Sequence, residues 1–488
     1  TFTRSLRDFH NKYVKNKLIT SVATRGNTLL DMTVGKGGDI QKWLNAKLSF
    51  VLGIDYSKDN IENRMDGACA RYLNYKKQNI ERNMPKAIFV NGNSGLLIRD
   101  KETTAILSDK EKVITNAIFG IGEKREEVVG KSIINNKLFG IGTDGFNVSS
   151  IQFALHYMFK DIDTLHNFLK NVSQTTKVDG YFIGTSYDGK KIFDALKDKE
   201  YDESIFITSD SNEKSGVDKL TDRGVIWEVA KKYKQEEFPD TIESIGYPID
   251  VYQETIGKVF REYLVNYDYL IRLMEDYGFA LLSTEESSKE LGLSNSIGNF
   301  EELYKNLELK YKKNKRMVGE IGESLNMTSK EKQISFYNKY FVFKKIRDVT
   351  DIDSIKPKSR EDEIENNNNK MPVPSEKEVL DDVKKNNAEA NANANVETEN
   401  NNGGKYILLD KNPKRSGSDI YKRYEVLKKA KSISQAYELG REAGFTDAKI
   451  YEALKHFNEI KHLQVELKGA KPSEQKKSVK KELKLTIK

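Results

Sequence analysis

This 488-residue chain holds a single cysteine, Cys69. No disulfide can close within it, which excludes the stapled architectures of small secreted domains and implies a reducing, intracellular compartment. Only five histidines accompany it, so a zinc site would have to lean on carboxylates, and no metal is expected. No apolar run reaches the length of about eighteen residues that a membrane span needs, and Thr1-Phe-Thr-Arg-Ser5 has no hydrophobic signal core. Neither membrane insertion nor secretion is expected. Acidic and basic residues nearly cancel, 74 against 81 for a net charge of +7. A polyanion would therefore have to be met by local patches.

What the chain has is a glycine loop in the right setting. Thr28-Leu-Leu-Asp-Met-Thr-Val-Gly-Lys-Gly-Gly-Asp39 runs from an apolar strand through a glycine turn into helix-like Ile40-Gln-Lys-Trp-Leu44, the order of a mononucleotide-binding unit. Asp55 ends the next strand, Phe50–Asp55, about where an acid that accepts ribose hydroxyls belongs. A P-loop would need glycine at position 30 and Ser or Thr after Lys36, where the chain has Leu30 and Gly37. Gly35, Gly37 and Gly38 miss the dinucleotide register, and Asp31 and Asp39 would repel a pyrophosphate. Acidic flanks suit a cationic ligand, and S-adenosylmethionine, with its sulfonium and ammonium, has that sign.

The organisation follows from shifts in composition. The length exceeds what one core normally serves, so two or more units are expected. Residues from about 28 to 185 alternate strands with helices, which predicts a doubly wound α/β sheet with helices on both faces. Residues 99–146 are too long for a connection and read as an insertion. Residues 186–260, with strand candidates Val225–Val229 and Ile249–Tyr252, read as a lid on the substrate side, and Arg261 to Tyr277 as a helix ended by Gly278. Within 351–405 the sequence turns acidic and asparagine-rich, burying too little apolar surface to offset chain entropy, hence a disordered linker. Ordered sequence returns at Tyr406–Leu409, and three short helices near 418–431, 434–443 and 447–461 make a small helical module over 406–465. Residues 466–488 form a basic tail able to sit on RNA phosphates. Such a helix-and-glycine module is more often a packing or interaction unit than a nucleic-acid reader.

Several strings together resemble one family. Leu6–Ile19 is similar to the opening motif of mRNA cap guanine-N7 methyltransferases, Asp31–Trp43 to their cofactor loop, and Gln152-Phe-Ala-Leu-His-Tyr157 to their most diagnostic string. Gly180–Thr185, Glu262–Val265 and Tyr340–Lys345 complete the set in order, and residues 1–350 are identified as such a domain. The paired Phe119-Gly-Ile-Gly122 and Phe139-Gly-Ile-Gly142 make it look most like the methyltransferase module of large DNA virus capping enzymes. A virion or the infected cytoplasm would then be its place. The resemblance implies a Rossmann-like class I S-adenosylmethionine-dependent fold and methyl transfer to N7 of the mRNA cap guanine. Capped mRNA would be the partner, with other capping domains or an activating subunit beside it.

The same resemblance implies roles. Lys15 would pair with the methionine carboxylate, Asp31 would lie near its ammonium, Gly35 under the cofactor with Asp39 beside it, and Asp55 on the ribose. Asn93 or Asn91 would meet adenine, where the family usually carries an aspartate. Thr33 replaces a usual first glycine, which predicts a tighter loop. Gln152 would line the cofactor pocket and Tyr157 would lie between cofactor and guanine. On the cap side, Glu262 would accept N1–H and the exocyclic amine of guanine together. His156 would touch the guanine edge, with Asn11 and Tyr340 nearby, although Tyr337 competes for the latter role. Lys36 and Arg71 are candidates for the triphosphate bridge.

Guanine N7 carries a free lone pair and a sulfonium methyl is already activated, so the task is alignment rather than proton transfer. Taken singly, His156 would be an ordinary core histidine, Glu262 a helix-dipole partner and Lys36 a solvated charge. Their joint occurrence in family order favours the enzyme. Two alternatives stand beside it. One is a catalytically idle scaffold that binds RNA or a partner. The other is a guanylyltransferase using Lys177 of Lys177-Val-Asp-Gly180, a short match at a turn where polar residues are expected anyway. Methyl transfer to a small molecule or another RNA position is argued against by Gln152–Tyr157.

Overall fold

The computed structural model describes residues 3–80, 83–99, 103–209 and 224–355, and then 405–408, 419–429, 433–443, 445, 450, 453–454 and 463–466. The chain divides into two compact units, Thr1–Glu363 and Ile364–Lys488. No described helix is long and apolar enough to cross a membrane.

The first unit is built on strands β1 (Thr28–Asp31), β2 (Phe50–Asp55), β3 (Lys86–Asn91), β4 (Phe146–Gln152) and β5 (Thr176–Tyr187), which pair in parallel in the order β3-β2-β1-β4-β5. The reason is legible in β1 and β2. Their apolar residues alternate between two cores: Leu29 and Val51 pack on one face, Leu30, Phe50 and Leu52 on the other. Both faces are therefore covered, as parallel sheets require. The π-helical stretch Phe9–Lys15, continued by Asn16–Val22, covers the first face, and Ile162–Thr175 covers the second.

Beyond β5 the chain leaves the sheet. β6 (Ser204–Thr208), β7 (Val225–Lys231), β8 (Pro248–Gln253) and β9 (Lys258–Tyr263) form a separate antiparallel four-stranded sheet in chain order, where the lid was expected. The chain then returns through β10 (Phe279–Leu281), β11 (Ile297–Asn299) and β12 (Asn338–Lys345), with β12 inserted antiparallel between β5 and β10. The full order, β3-β2-β1-β4-β5-β12-β10, is a doubly wound, Rossmann-like α/β arrangement with helices on both faces, as the sequence predicted.

One boundary is corrected. Arg261–Tyr277 is not a single helix. Strand pairing of Glu262 with Ile249 and of Tyr263 with Pro248 carries β9 to Tyr263, and the helix Tyr267–Asp276 starts only where the Asn266 side chain accepts the Tyr269 amide at 3.0 Å. A cap and a cross-strand register outweigh the helical look of the sequence. Glu262 thus stands on a strand. The insertion is a small helical unit, Asp109–Ile118, Glu126–Val129 and Lys131–Asn135, whose Ile118, Phe119 and Ile133 join the second core. Gly120 and Gly140 of its two Phe-Gly-Ile-Gly strings abut, so that a Cβ on Gly120 would lie 3.4 Å from the Gly140 Cα.

In the second unit β13 (Lys405–Leu408) pairs antiparallel with β14 (Leu463–Glu466), a strand that the sequence did not announce. Helices Asp419–Leu427 and Ile433–Glu442 match the first two expected, and they bury Tyr424, Leu427 and Ala436. Of the disordered linker expected over 351–405, the start is instead ordered, a 3-10 turn Ile352–Ser354 with Ile352 buried, and Lys405 opens β13; residues 356–404, most of the third helix and the basic tail beyond Glu466 lie outside the described residues.

Candidate functional site

In an open parallel sheet, ligands gather at the C-terminal strand ends where the strand order reverses. Here that point lies between β1 and β4, and it collects most of the expected residues. The loop after β1 turns through Gly35 (φ +54) and Gly37 (φ +71), a left-handed backbone that glycine adopts without strain. A Cβ on Gly37 would come 2.8 Å from Ile40 Cδ1, whereas one on Gly35 would meet nothing within 4 Å. Gly37 therefore closes the loop onto its helix, and Gly35 presents bare backbone.

Asp55 holds this loop. One carboxylate oxygen accepts the Gly35 amide at 2.7 Å, and the other accepts the Ser57 amide at 3.0 Å and the Asn60 side-chain amide at 2.9 Å. A carboxylate has about four lone-pair directions, so capacity remains for a ribose hydroxyl. Thr33 donates its amide to Asp31 at 3.2 Å.

Charge in the loop is arranged in a chain. Asp31 is buried, and burial followed by the neighbouring Asp39 carboxylate pushes it well above the usual carboxylate range, only partly opposed by Lys15. For Asp39 burial pulls upward as well, but the Lys15 and Lys42 ammoniums prevail and hold it below its ordinary value. Lys15 lies 3.3 Å from Asp39, and Lys42 3.0 Å from it. Lys15 therefore stands paired with an acid of the loop, with the Phe153 ring 5.8 Å away. The two asparagines separate clearly. Asn91 spends its amide on the carbonyls of Asp55 and Tyr56, both at 2.9 Å, and so braces the strand ends. Asn93 is half-buried, its side-chain oxygen accepting the Gly95 amide at 2.9 Å.

The end of β4 builds the second half of the site. Gln152 donates to Ser150 Oγ at 3.1 Å and accepts the Thr185 hydroxyl at 3.1 Å. The next residue, Phe153, has φ +55, which costs energy in any residue with a side chain. Its amide donates to the Thr185 carbonyl at 2.9 Å and hydroxyl at 3.0 Å, which holds the turn. That turn aims Phe153 onto His10, their rings 5.1 Å apart and nearly parallel. It also carries the chain into the short helix Leu155–Met158 with His156 buried and Tyr157 41% exposed.

His156 meets Glu262 of β9. The His156 Nδ1 to Glu262 Oε2 distance is 3.6 Å, too long for a hydrogen bond. Burial pushes Glu262 up to about 8 and His156 down to about 3, so near neutral pH neither is mainly charged and no ion pair forms. Both ring nitrogens of His156 and Oε2 of Glu262 are buried without a hydrogen-bond partner. Since buried polar atoms are almost always paired, these three unpaired atoms are the candidate for contact with a ligand's polar edge. Tyr157 packs edge-on against His156, ring centres 4.2 Å apart.

Other expected residues are placed differently. Tyr340 is wholly buried and spends its hydroxyl on the Asn295 carbonyl at 3.0 Å. It is a core group and is not presented to a base. Tyr337 stacks on Trp227, 5.2 Å between rings. Lys36 lies 2.8 Å from Asp66 and 3.7 Å from Asp59, so two carboxylates compete with any triphosphate for it, while Arg71 stays half-exposed nearby on Ala68–Gln78. Asn11 donates to the Arg7 carbonyl within its own helix at 3.1 Å. Lys177 sits at the start of β5, about 20 Å from Thr185 at the ligand-binding edge, since Thr176 lies opposite Phe146 and Thr185 opposite Gln152, six residues on along β4. Sequence reasoning singled out neither Phe153 nor His10, although both lie inside the strings that carried the resemblance. A positive φ at a phenylalanine leaves no trace in composition.

Residues 3–215 match the family model described as mRNA (guanine-N(7))-methyltransferase domain. The chain is similar to a probable mRNA-capping enzyme of Acanthamoeba polyphaga mimivirus, 28% identical over 284 residues, which cover 57% of this chain and 21% of that protein. It is 22% identical over 360 residues to the mRNA cap guanine-N(7) methyltransferase of Saccharomyces cerevisiae, covering 72% of this chain and 66% of that one. Against mRNA cap guanine-N(7) methyltransferase 1 of Oryza sativa the figures are 26% over 190 residues, 39% of this chain and 41% of the relative. The chain thus spans about a fifth of the mimivirus protein and two-fifths of the rice one.

Proposed function

We propose that this chain, whose residues 3–215 match the mRNA (guanine-N(7))-methyltransferase domain model, methylates N7 of the mRNA cap guanine, with S-adenosylmethionine as donor. The observation that carries the reading is the buried convergence of His156 and Glu262, with unpaired polar atoms, beside a glycine loop at the switch point of the sheet.

The loop fits the donor. Gly35 offers open backbone, Asp55 retains acceptor capacity for the ribose, and Asp31 is a buried acid that a ligand ammonium would return to its charged form. Lys15 can exchange Asp39 for a ligand carboxylate, and Asn93 is the residue left for adenine once Asn91 is committed to the strands. Bound S-adenosylmethionine supplies a methyl already activated on a sulfonium. The chain's own work is to place the acceptor.

Ionised Glu262 offers two acceptors to guanine N1–H and the exocyclic amine, a pairing that adenine cannot match. Neutral His156 can donate one ring N–H to the carbonyl on the same edge. Tyr157, half in solvent, would wall the gap between base and donor. With N7 carrying its own lone pair, no group is needed to remove a proton, and alignment with exclusion of water is the source of rate. Charge developing on the purine faces Glu262, which favours the transition state.

The test is transfer of labelled methyl from S-adenosylmethionine to capped and uncapped RNA. Transfer to capped RNA alone is expected. Transfer to uncapped RNA alone would reject cap specificity, and donor binding without any transfer would support an idle scaffold. Further capping domains or an activating subunit are proposed as partners on the relative lengths above, and the lone exposed Cys69 fits a reducing intracellular compartment.

A further inference from the structure

Glu262 ends a row of side chains on one strand. The pairing of β9 with β8 sets Lys258 opposite Gln253, Phe260 opposite Val251 and Glu262 opposite Ile249. Gln253 faces the body of the unit, because its side-chain amide donates to the Tyr187 hydroxyl at 2.7 Å, and Val251 and Ile249 are buried. Lys258, Phe260 and Glu262 therefore share that inner face in a row, about 7 Å from one to the next. Exposure rises along the row. Glu262 is buried, Phe260 is 39% exposed and Lys258 is exposed. Phe260 thus presents a phenyl ring that faces inward and still meets solvent. Beyond it, the Thr3 hydroxyl donates to Glu254 at 3.0 Å. This bond ties the start of the N-terminal helix, with exposed Arg4 and Arg7, to the turn that leads into Lys258.

We propose that the inner row of β9 is the track for the RNA chain beyond the cap, with Phe260 stacking on the first transcribed base and Lys258, Arg4 and Arg7 meeting the phosphates that follow. The proposal rests on the reading of Glu262 as the guanine acceptor. With that base anchored at the buried end of the strand, the polyanion leaves toward the exposed end. There an aromatic platform comes first and cations second, the combination that holds single strands without regard to sequence.

The experiment compares methyl transfer by the full chain to GTP, to the dinucleotide GpppA and to a short capped oligoribonucleotide. Phe260→Ala should leave the KM for GTP unchanged and raise that for GpppA about fivefold or more, and Phe260→Trp should restore it. Lys258→Ala should spare both small substrates, weaken the oligonucleotide, and lower the slope of log affinity against log salt by about one. An equal effect of Phe260→Ala on GTP and GpppA, the mark of a structural role, would overturn the track, as would no effect on either. A wild-type chain that methylates none of the three would defeat the guanine reading itself, and the track with it.

Discussion

Glu262 should make cap binding depend on pH near neutrality, where an ordinary surface carboxylate, already ionised, would leave it flat. Burial holds it up at about 8 in the free protein, yet guanine needs its ionised form. At pH 7 a group of that pKa is roughly one-tenth ionised, so apparent affinity is about tenfold weaker than the ionised form would give. Between pH 7 and 8.5 the ionised share rises about eightfold, and the cap Kd should fall by the same factor. Binding at pH 7 should also release nearly one proton, read by calorimetry in two buffers of different ionisation enthalpy. Stability runs the other way. An unfolded Glu ionises near 4.5 while the folded one stays protonated to about 8, so folding stability is full below 4.5 and declines as pH rises between the two values. By pH 7 the loss is about 3 kcal/mol. Glu262→Gln, isosteric with the protonated acid, should recover most of that and raise Tm at pH 7. It should also remove the pH dependence and weaken cap binding, because its amide turns a donor toward a donor. Flat affinity from pH 6.5 to 8.5 with no proton released would refute the reasoning.

Asp55→Ala removes the acceptor of the Gly35 amide, and should weaken S-adenosylmethionine about tenfold or more in calorimetry while sparing guanine recognition, each lost charged hydrogen bond costing about 1.5–3 kcal/mol. Incubation with labelled GTP should leave no guanylate adduct that survives denaturation. An adduct abolished by Lys177→Ala would restore the guanylyltransferase reading despite the position of Lys177 at the far end of β5. Lys345, buried with its ammonium on the carbonyls of Ser173 and Thr176 at 2.7 Å each, should cost a few kcal/mol of stability when changed to Ala, since two buried carbonyls lose their donor. Denaturant titration checks this, and an unchanged midpoint would contradict it.

The sequence by itself determined the repeating chemistry of the first unit. Apolar runs such as Phe50–Ile54 cannot face water on either side, so a covered parallel sheet was implied, and the glycines of the loop required a backbone that few other residues adopt. Asp31, Asp55 and Gln152 come to one edge of the sheet because each closes a strand, where spacing along the chain translates directly into position, and His156 follows four residues beyond. Tertiary structure decided what depends on partners distant in sequence. Glu262 looked like a helix start until the pairing of Ile249 put it on a strand facing His156, more than a hundred residues earlier. Tyr340 belonged to a family string, but packing against Asn295 turned it into core, and Asp59 with Asp66 claimed Lys36. Local patterns fix which face of an element is apolar. Which polar groups end up buried together, and hence which carry a shifted pKa or an unpaired atom, follows only from how the elements stack, because desolvation depends on every neighbour in space and not on those adjacent in sequence.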